Sequence, residues 1–229
     1  MRIELSLKPQ KPTIIEGFPG FGLVGPIVTE FLIDHLKPTL IGEFVYDELP
    51  ATVAVHLGKL VRPMGVYYSR SHNIVILHTI LNPKGQEWAI ADEVAKLSSQ
   101  LKAKEVISIE GVAVPPSESE ESLFCHGNPA LEKLGAKPMQ ESIIIGVTAA
   151  LMLRQPKVSC IFAGTHSAVP DSAAAARVIT LLDKHLGLKV DPQPLYAQAE
   201  VFEGKLKDMM NQQAKVSKQA DEKQMSYLG

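Results

Sequence analysis

The sequence predicts an α/β fold in which helices flank a mixed, largely buried sheet. Two observations carry this. Apolar, β-branched runs recur along the 229 residues and alternate with stretches of helical periodicity. Several of these runs follow one another with no helix between them, which antiparallel neighbours permit and an all-parallel sheet does not. With 45% hydrophobic residues the chain is long enough for a substantial core and short enough for one α/β domain, placed at residues 1–190. Residues 191–229 are expected to add a C-terminal amphipathic helix and a flexible tail.

Taken in order, Thr13 to Glu16 reads as a short strand. Leu23 to Leu36 follows as a helix, with Leu23, Ile27 and Phe31 on one side and Lys37-Pro38 ending it. Thr39 to Tyr46, Thr52 to Leu57, Gly65 to Arg70 and Asn73 to Thr79 read as strands, the last two joined by a hairpin at Ser71-His72. Trp88 to Leu101 is an amphipathic helix, because Ala91, Val94, Leu97 and Leu101 recur at near-helical spacing. Glu105 to Val114 is a strand, and the acidic, proline-led stretch that starts at Pro115 is an exposed loop. Ile143 to Leu153 is predicted as helix and Lys157 to Ala163 as strand. A helix over Ser172 to His185 has its start at Pro170-Asp171 and its stop at Gly187. Beyond Asp191-Pro-Gln-Pro, the residues Leu195, Ala199, Phe202, Leu206 and Met209 fall on one stripe of a helix. That stripe either packs back onto the same domain or meets another chain.

Charge and cysteine content exclude several functions. With 23 basic and 25 acidic side chains there is no basic excess to hold a polyphosphate backbone, so nucleic acid is not an expected partner. Cys125 and Cys160 have no metal-type spacing, and no other histidine, cysteine or carboxylate set supplies one. No metal or cofactor is expected. Two cysteines in such a chain suit a compartment that keeps thiols reduced. Charges near the N-terminus and the absence of an apolar run of membrane-spanning length predict a soluble, cytoplasmic protein with no membrane partner.

Four groups of residues invite a chemical role. Gly20-x-Gly22-x-x-Gly25 spells a dinucleotide fingerprint between a strand and a helix, and Glu43 falls near where a ribose-binding acid is expected. Against this, Gly17-Phe-Pro separates the strand from the first fingerprint glycine, and Pro26 removes an amide donor early in the helix. A tight turn with close packing is the favoured account. Phe18 and Phe21 in the same loop are candidate interface aromatics, as are Phe202, Leu206 and Met209 on the terminal stripe. His166, Ser167 and Asp171 contain the ingredients of a nucleophile and base, but Asp171 is better explained as a helix cap. Cys125-His126 is a weak thiolate pair, since neighbours on a strand point apart, and Glu110 at a strand end is a possible buried acid facing a pocket.

Gly17-Phe-Pro-Gly-Phe-Gly-Leu-Val-Gly25, Gly164-Thr-His-Ser-Ala-Val-Pro-Asp-Ser-Ala-Ala174 and the ending Met225-Ser-Tyr-Leu-Gly229, in that order, resemble the proteasome assembly chaperone 2 family. This family includes archaeal homologues and is often grouped with the ATP-grasp superfamily. The resemblance implies a nucleoside phosphorylase-like fold, no enzymatic activity, and binding to proteasome 20S α subunits as a chaperone or a partner of the finished ring. It also implies a homo-oligomer, a trimer or tetramer. Partners of the α ring commonly end in a hydrophobic residue, a tyrosine and one final residue. Here Met225, Ser226, Tyr227, Leu228 and Gly229 depart from that pattern, because Tyr227 is third from the end and follows a serine. The tail therefore either docks as a variant motif or folds back onto the body. The alternative function is a nucleotide- or nucleoside-binding enzyme that uses the Gly17–Gly25 loop.

Overall fold

Thr13–Gly17 (β2) lies at the centre of the architecture, and both faces of it are buried, with Ile15 toward one side and Ile14 toward the other. A computed structural model describes residues 1–49, 51–56, 59–115, 122–155, 157–165, 169–195 and 208. The elements ahead of and following β2 are β1 (Arg2–Leu5), α1 (Val24–Leu36), β3 (Thr39–Val45), β4 (Ala54–His56), β5 (Lys59–Val61), β6 (Met64–Ser69) and β7 (Ile74–Thr79). Then come α2 (Glu87–Leu101), β8 (Glu105–Ala113), β9 (Leu123–His126), α3 (Pro129–Lys133), β10 (Lys137–Pro138), α4 (Gly146–Arg154), β11 (Val158–Thr165) and α5 (Ser172–Leu186).

Nine strands form one sheet in the order β1-β3-β6-β7-β2-β8-β11-β9-β10. The middle four, β7, β2, β8 and β11, run parallel. The β1, β3, β6 and β7 neighbours are antiparallel, as is β9 to β11. Helices α1 and α5 cover one face with Ile27, Phe31, Val178 and Leu182, and α2 and α4 cover the other with Ile90, Val94, Leu97 and Leu151. Burial on both faces explains why the central strands read as continuous apolar runs.

The helix ends follow their local chemistry. Asp171 caps α5 by accepting from the Ala174 amide at 2.8 Å, and Gly187 ends it in the left-handed region at φ 66°. Lys37 closes α1 in the same region. Leu195 is fully buried on the α1/α5 face together with Leu188 and Val190, so the chain stays in contact with the body past the Asp191-Pro-Gln-Pro break. The rest of that stripe, with Phe202, Leu206 and Met209, and the tail at Met225, Ser226, Tyr227, Leu228 and Gly229 lie outside the described residues.

Two expectations are corrected. The helix predicted from Ile143 begins only at Gly146, because Gly146 has φ 84° and Ile145 is extended. Ile143 to Ile145 instead precede the helix without regular structure, with Ile143 at 90% and Ile145 at 76% exposure and Ile144 half-buried between them. The strand predicted over Thr52 to Leu57 shrinks to Ala54–His56, which pairs with Lys59–Val61 in a separate two-stranded ribbon and takes no part in the main sheet. Strands β1, β5, β9 and β10 were not anticipated; each has four residues or fewer, too short for periodicity to declare.

Candidate functional site

Helix α1 is drawn tightly against β2 by two glycines. A Cβ on Gly17 would strike the Gly25 carbonyl, and one on Gly25 would strike Gly17 and the Ile109 carbonyl. The loop between them turns through Gly22, whose φ of 64° suits glycine, and Leu23, which shares that conformation at φ 49°. Close packing is therefore what these glycines provide. The loop is also tied from behind, since the Asp171 amide donates to the Gly22 carbonyl at 2.9 Å.

The amides of this loop point at two buried carboxyl groups. Phe18 N donates to Glu16 Oε2 at 3.1 Å, and Phe21 N donates to Glu110 Oε1 at 3.2 Å. Gly20 lies so close to Glu110 that a Cβ there would collide with the carboxylate. The amides of Phe18 and Phe21 are thus engaged by carboxyl groups, which favours the tight-turn account of Gly20, Gly22 and Gly25 over a phosphate cradle. Glu43 lies away from the first strand of the fingerprint. It sits on β3, with β6 and β7 between that strand and β2, and accepts from Arg62 Nη1 at 2.6 Å. Phe18 is not an exposed aromatic: at 3% exposure it packs edge-on to Phe44, with ring centroids 5.9 Å apart. Phe21 is half-buried and lines a cavity.

Glu16 and Glu110 belong to one polar chain inside the sheet–helix interface. The Ser108 hydroxyl donates to Glu16 Oε1 and lies 2.9 Å from Thr148 Oγ1, and Thr148 donates to Glu110 Oε2 at 3.1 Å. Sheet register builds this chain, because Glu16 on β2 is opposite Ser108 on β8, and Glu110 lies two residues further along the same face. Burial pushes the Glu16 carboxyl up to about 7, with hydrogen bonds from Ser108 and the Phe18 amide pulling it partly back. Burial, then the nearby Glu16, pushes Glu110 up to about 8. Cys160 on the adjacent strand is pushed up to about 12 by burial and both acids, so it stays a neutral thiol.

Glu110 forms part of the wall of a cavity of about 680 Å³ whose other walls include Phe21, Leu23, Val112, Ile144 and Val147. The cavity lies beyond the C-terminal ends of β2, β7 and β8, between the loop that leads into α1, the start of α2 and the segment that leads into α4. Open α/β sheets bind ligands in crevices of this kind. Lys84, exposed, and Glu87, half-buried, stand among the lining residues.

Other polar clusters have structural explanations. Thr29 Oγ1 lies 2.8 Å from His78 Nδ1, and His78 Nε2 lies 3.2 Å from Glu30, but Thr29 is fully buried and its hydroxyl also donates to the Gly25 carbonyl. Glu105 accepts from Asn128 and Ser159 and pairs with His185 at 3.0 Å. The serine there is bonded to the acid and not to the histidine, so this node ties α5 to the sheet and does not activate a nucleophile. Cys125 is buried while the neighbouring His126 is exposed, so the two do not form a pair. His166 and Ser167 lie outside the described residues. Among the described residues no group of three or more His, Cys, Asp or Glu is placed to hold a metal ion, and no helix is long and apolar enough to cross a membrane.

Fold and loop together define a layered α/β domain with a mixed sheet and a sealed strand-to-helix turn. The sequence matches the model of the PAC2 family over residues 14–210, and the chain belongs to that family. The structure is similar to that of Pyrococcus furiosus PbaA, described as an archaeal homolog of proteasome-assembly chaperone. The two share 29% identity and a TM-score of 0.83, over 94% of this chain and 99% of that one. Pyrococcus furiosus PbaB, described as an archaeal proteasome activator, shares the fold at a TM-score of 0.70 and 22% identity, over 91% and 98% of the two chains. The uncharacterized protein MJ0106 of Methanocaldococcus jannaschii is 25% identical over 96% of this chain and 94% of its own length.

Proposed function

We propose that this protein is a proteasome assembly chaperone or proteasome-binding protein that engages the α subunits of the 20S particle through residues 225–229, without catalysis of its own. The observation that supports this most is the near full-length likeness to PbaA in both sequence and fold. Residues 1–190 form the rigid body in this reading, which we take to be nucleoside phosphorylase-like. Residues 191–229 carry the helix stripe and the tether. Several copies, as a trimer or tetramer in the cytoplasm, present their tails together, so that modest affinity per tail suffices through effective concentration. In each tail, Tyr227 supplies contact area and a hydroxyl, and the terminal carboxylate supplies a charge for a lysine of the α subunit.

The test compares the full chain with a form lacking Tyr227 to Gly229, in binding to purified 20S proteasome and to isolated α subunits. Loss of binding with an unchanged thermal unfolding curve is the expected result. Equal binding by the shortened chain would refute the assignment of the tail. A chain that retains neither form of binding at any concentration would refute the proteasome reading altogether.

A further inference from the structure

Three hydrogen-bond contacts link Glu16, Ser108, Thr148 and Glu110, but the two hydroxyls bring only two hydrogens to them. The third contact is filled when one carboxyl is protonated. With the proton on Glu110, the more strongly raised of the two acids, the chain runs from Glu110 to Thr148, from Thr148 to Ser108 and from Ser108 to Glu16. Glu110 is the member of the chain that lines the cavity, and once it loses that proton the Thr148 hydroxyl donates to its carboxylate.

We infer that this cavity is a binding site for a small organic cation, an apolar body bearing a primary amine whose ammonium pairs with Glu110. Three observations converge on that chemistry. The walls are chiefly apolar, from Phe21, Leu23, Val112, Ile144 and Val147, and the volume of about 680 Å³ suits a compact ring system. Glu110 is buried, and no salt bridge to it is found among the described residues. The charges around the site also favour a cation. On β2 and β8 they are Glu16 and Glu110, on β11 the neutral thiol Cys160, on α4 only the hydroxyl of Thr148, and at the rim Lys84 and Glu87. An ammonium entering from Glu87 reaches Glu110 as a charge-assisted hydrogen-bond donor, whereas a phosphate or carboxylate would meet two acids.

Binding is coupled to a proton. The neutral Glu110 carboxyl gives its proton to the buffer as the ammonium arrives, so a carboxylic acid plus R–NH₃⁺ becomes a carboxylate–ammonium pair plus H⁺. The probe is tryptamine, with tryptophol as the uncharged control of similar size, titrated calorimetrically into the full chain in two buffers of different ionisation heat. Tryptamine is expected to bind at least about tenfold more tightly than tryptophol, the factor that one charge-assisted bond supplies. It should release close to one proton at neutral pH and weaken about tenfold for each pH unit of acidification, as one-proton linkage requires. In Glu110→Gln the preference for the amine and the proton release should both vanish while tryptophol binding is unchanged. The wild-type proton count tests the idea even if that variant folds poorly. Equal affinity for amine and alcohol, no binding of either, no proton released, or an undiminished preference in Glu110→Gln would each overturn it.

Discussion

Replacing Glu110 by glutamine should make the protein less sensitive to rising pH. The folded chain holds this carboxyl neutral up to about pH 8, whereas an unfolded glutamate ionises near its ordinary value of 4.5. The folded state therefore binds more protons in that window. The stabilisation is complete below the unfolded value and is lost as pH rises through the folded one. A group protonated in the folded state and ionised in the unfolded state costs about 1.4 kcal/mol for each pH unit crossed. From about pH 5 to about pH 7, Glu110 alone should remove about 3 kcal/mol, a large part of the net stability of an ordinary domain. Glutamine keeps the shape, can accept from the Phe21 amide and can donate to Thr148, without the ionisation. Urea unfolding followed by far-ultraviolet circular dichroism at pH 5, 7 and 8.5 measures the difference. The wild type should lose about 3 kcal/mol more than the variant between the first two conditions. Parallel stability profiles for the two proteins would show that Glu110 is ionised in the folded chain, and the reasoning from its burial would fail.

Gly20→Ala should destabilise the fold by about 1–3 kcal/mol, because its Cβ collides with the Glu110 carboxylate. Combining it with Glu110→Ala should recover part of that loss, and additive unfolding energies in the four-protein cycle would contradict the contact. Asp171→Ala should cost about 1 kcal/mol through loss of the α5 cap, read as a lower urea midpoint with an unchanged slope.

The elements that announced themselves in the sequence are those whose ends carry their own chemistry. Helix α5 could be placed closely because Asp171 and Gly187 act on neighbouring backbone groups, and α1 because Lys37-Pro38 ends it locally. The Ile143-Ile-Ile run misled because apolar density alone does not distinguish irregular chain from a helix, and Gly146 enforces the distinction only through its backbone angle. Glu110 was noticed as an acid in an apolar strand. Its partner Glu16 was not, because it ended a strand 94 residues earlier. Only the β2/β8 register, a non-local pairing, brings the two onto one face. Glu43 shows the converse. The fingerprint's spacing assumes that the acid's strand lies beside the first one, whereas in this topology two strands intervene.

The outermost strands have a consequence for how chains behave when crowded together. At one margin β10 has only two residues, and Pro138 has no N–H with which to recruit a further strand. At the other margin β1 presents Arg2 and Glu4, paired with each other at 2.8 Å, to an incoming backbone. Neither border is a good template for a stray segment, so the sheet should resist growing into fibrils while many copies mature side by side.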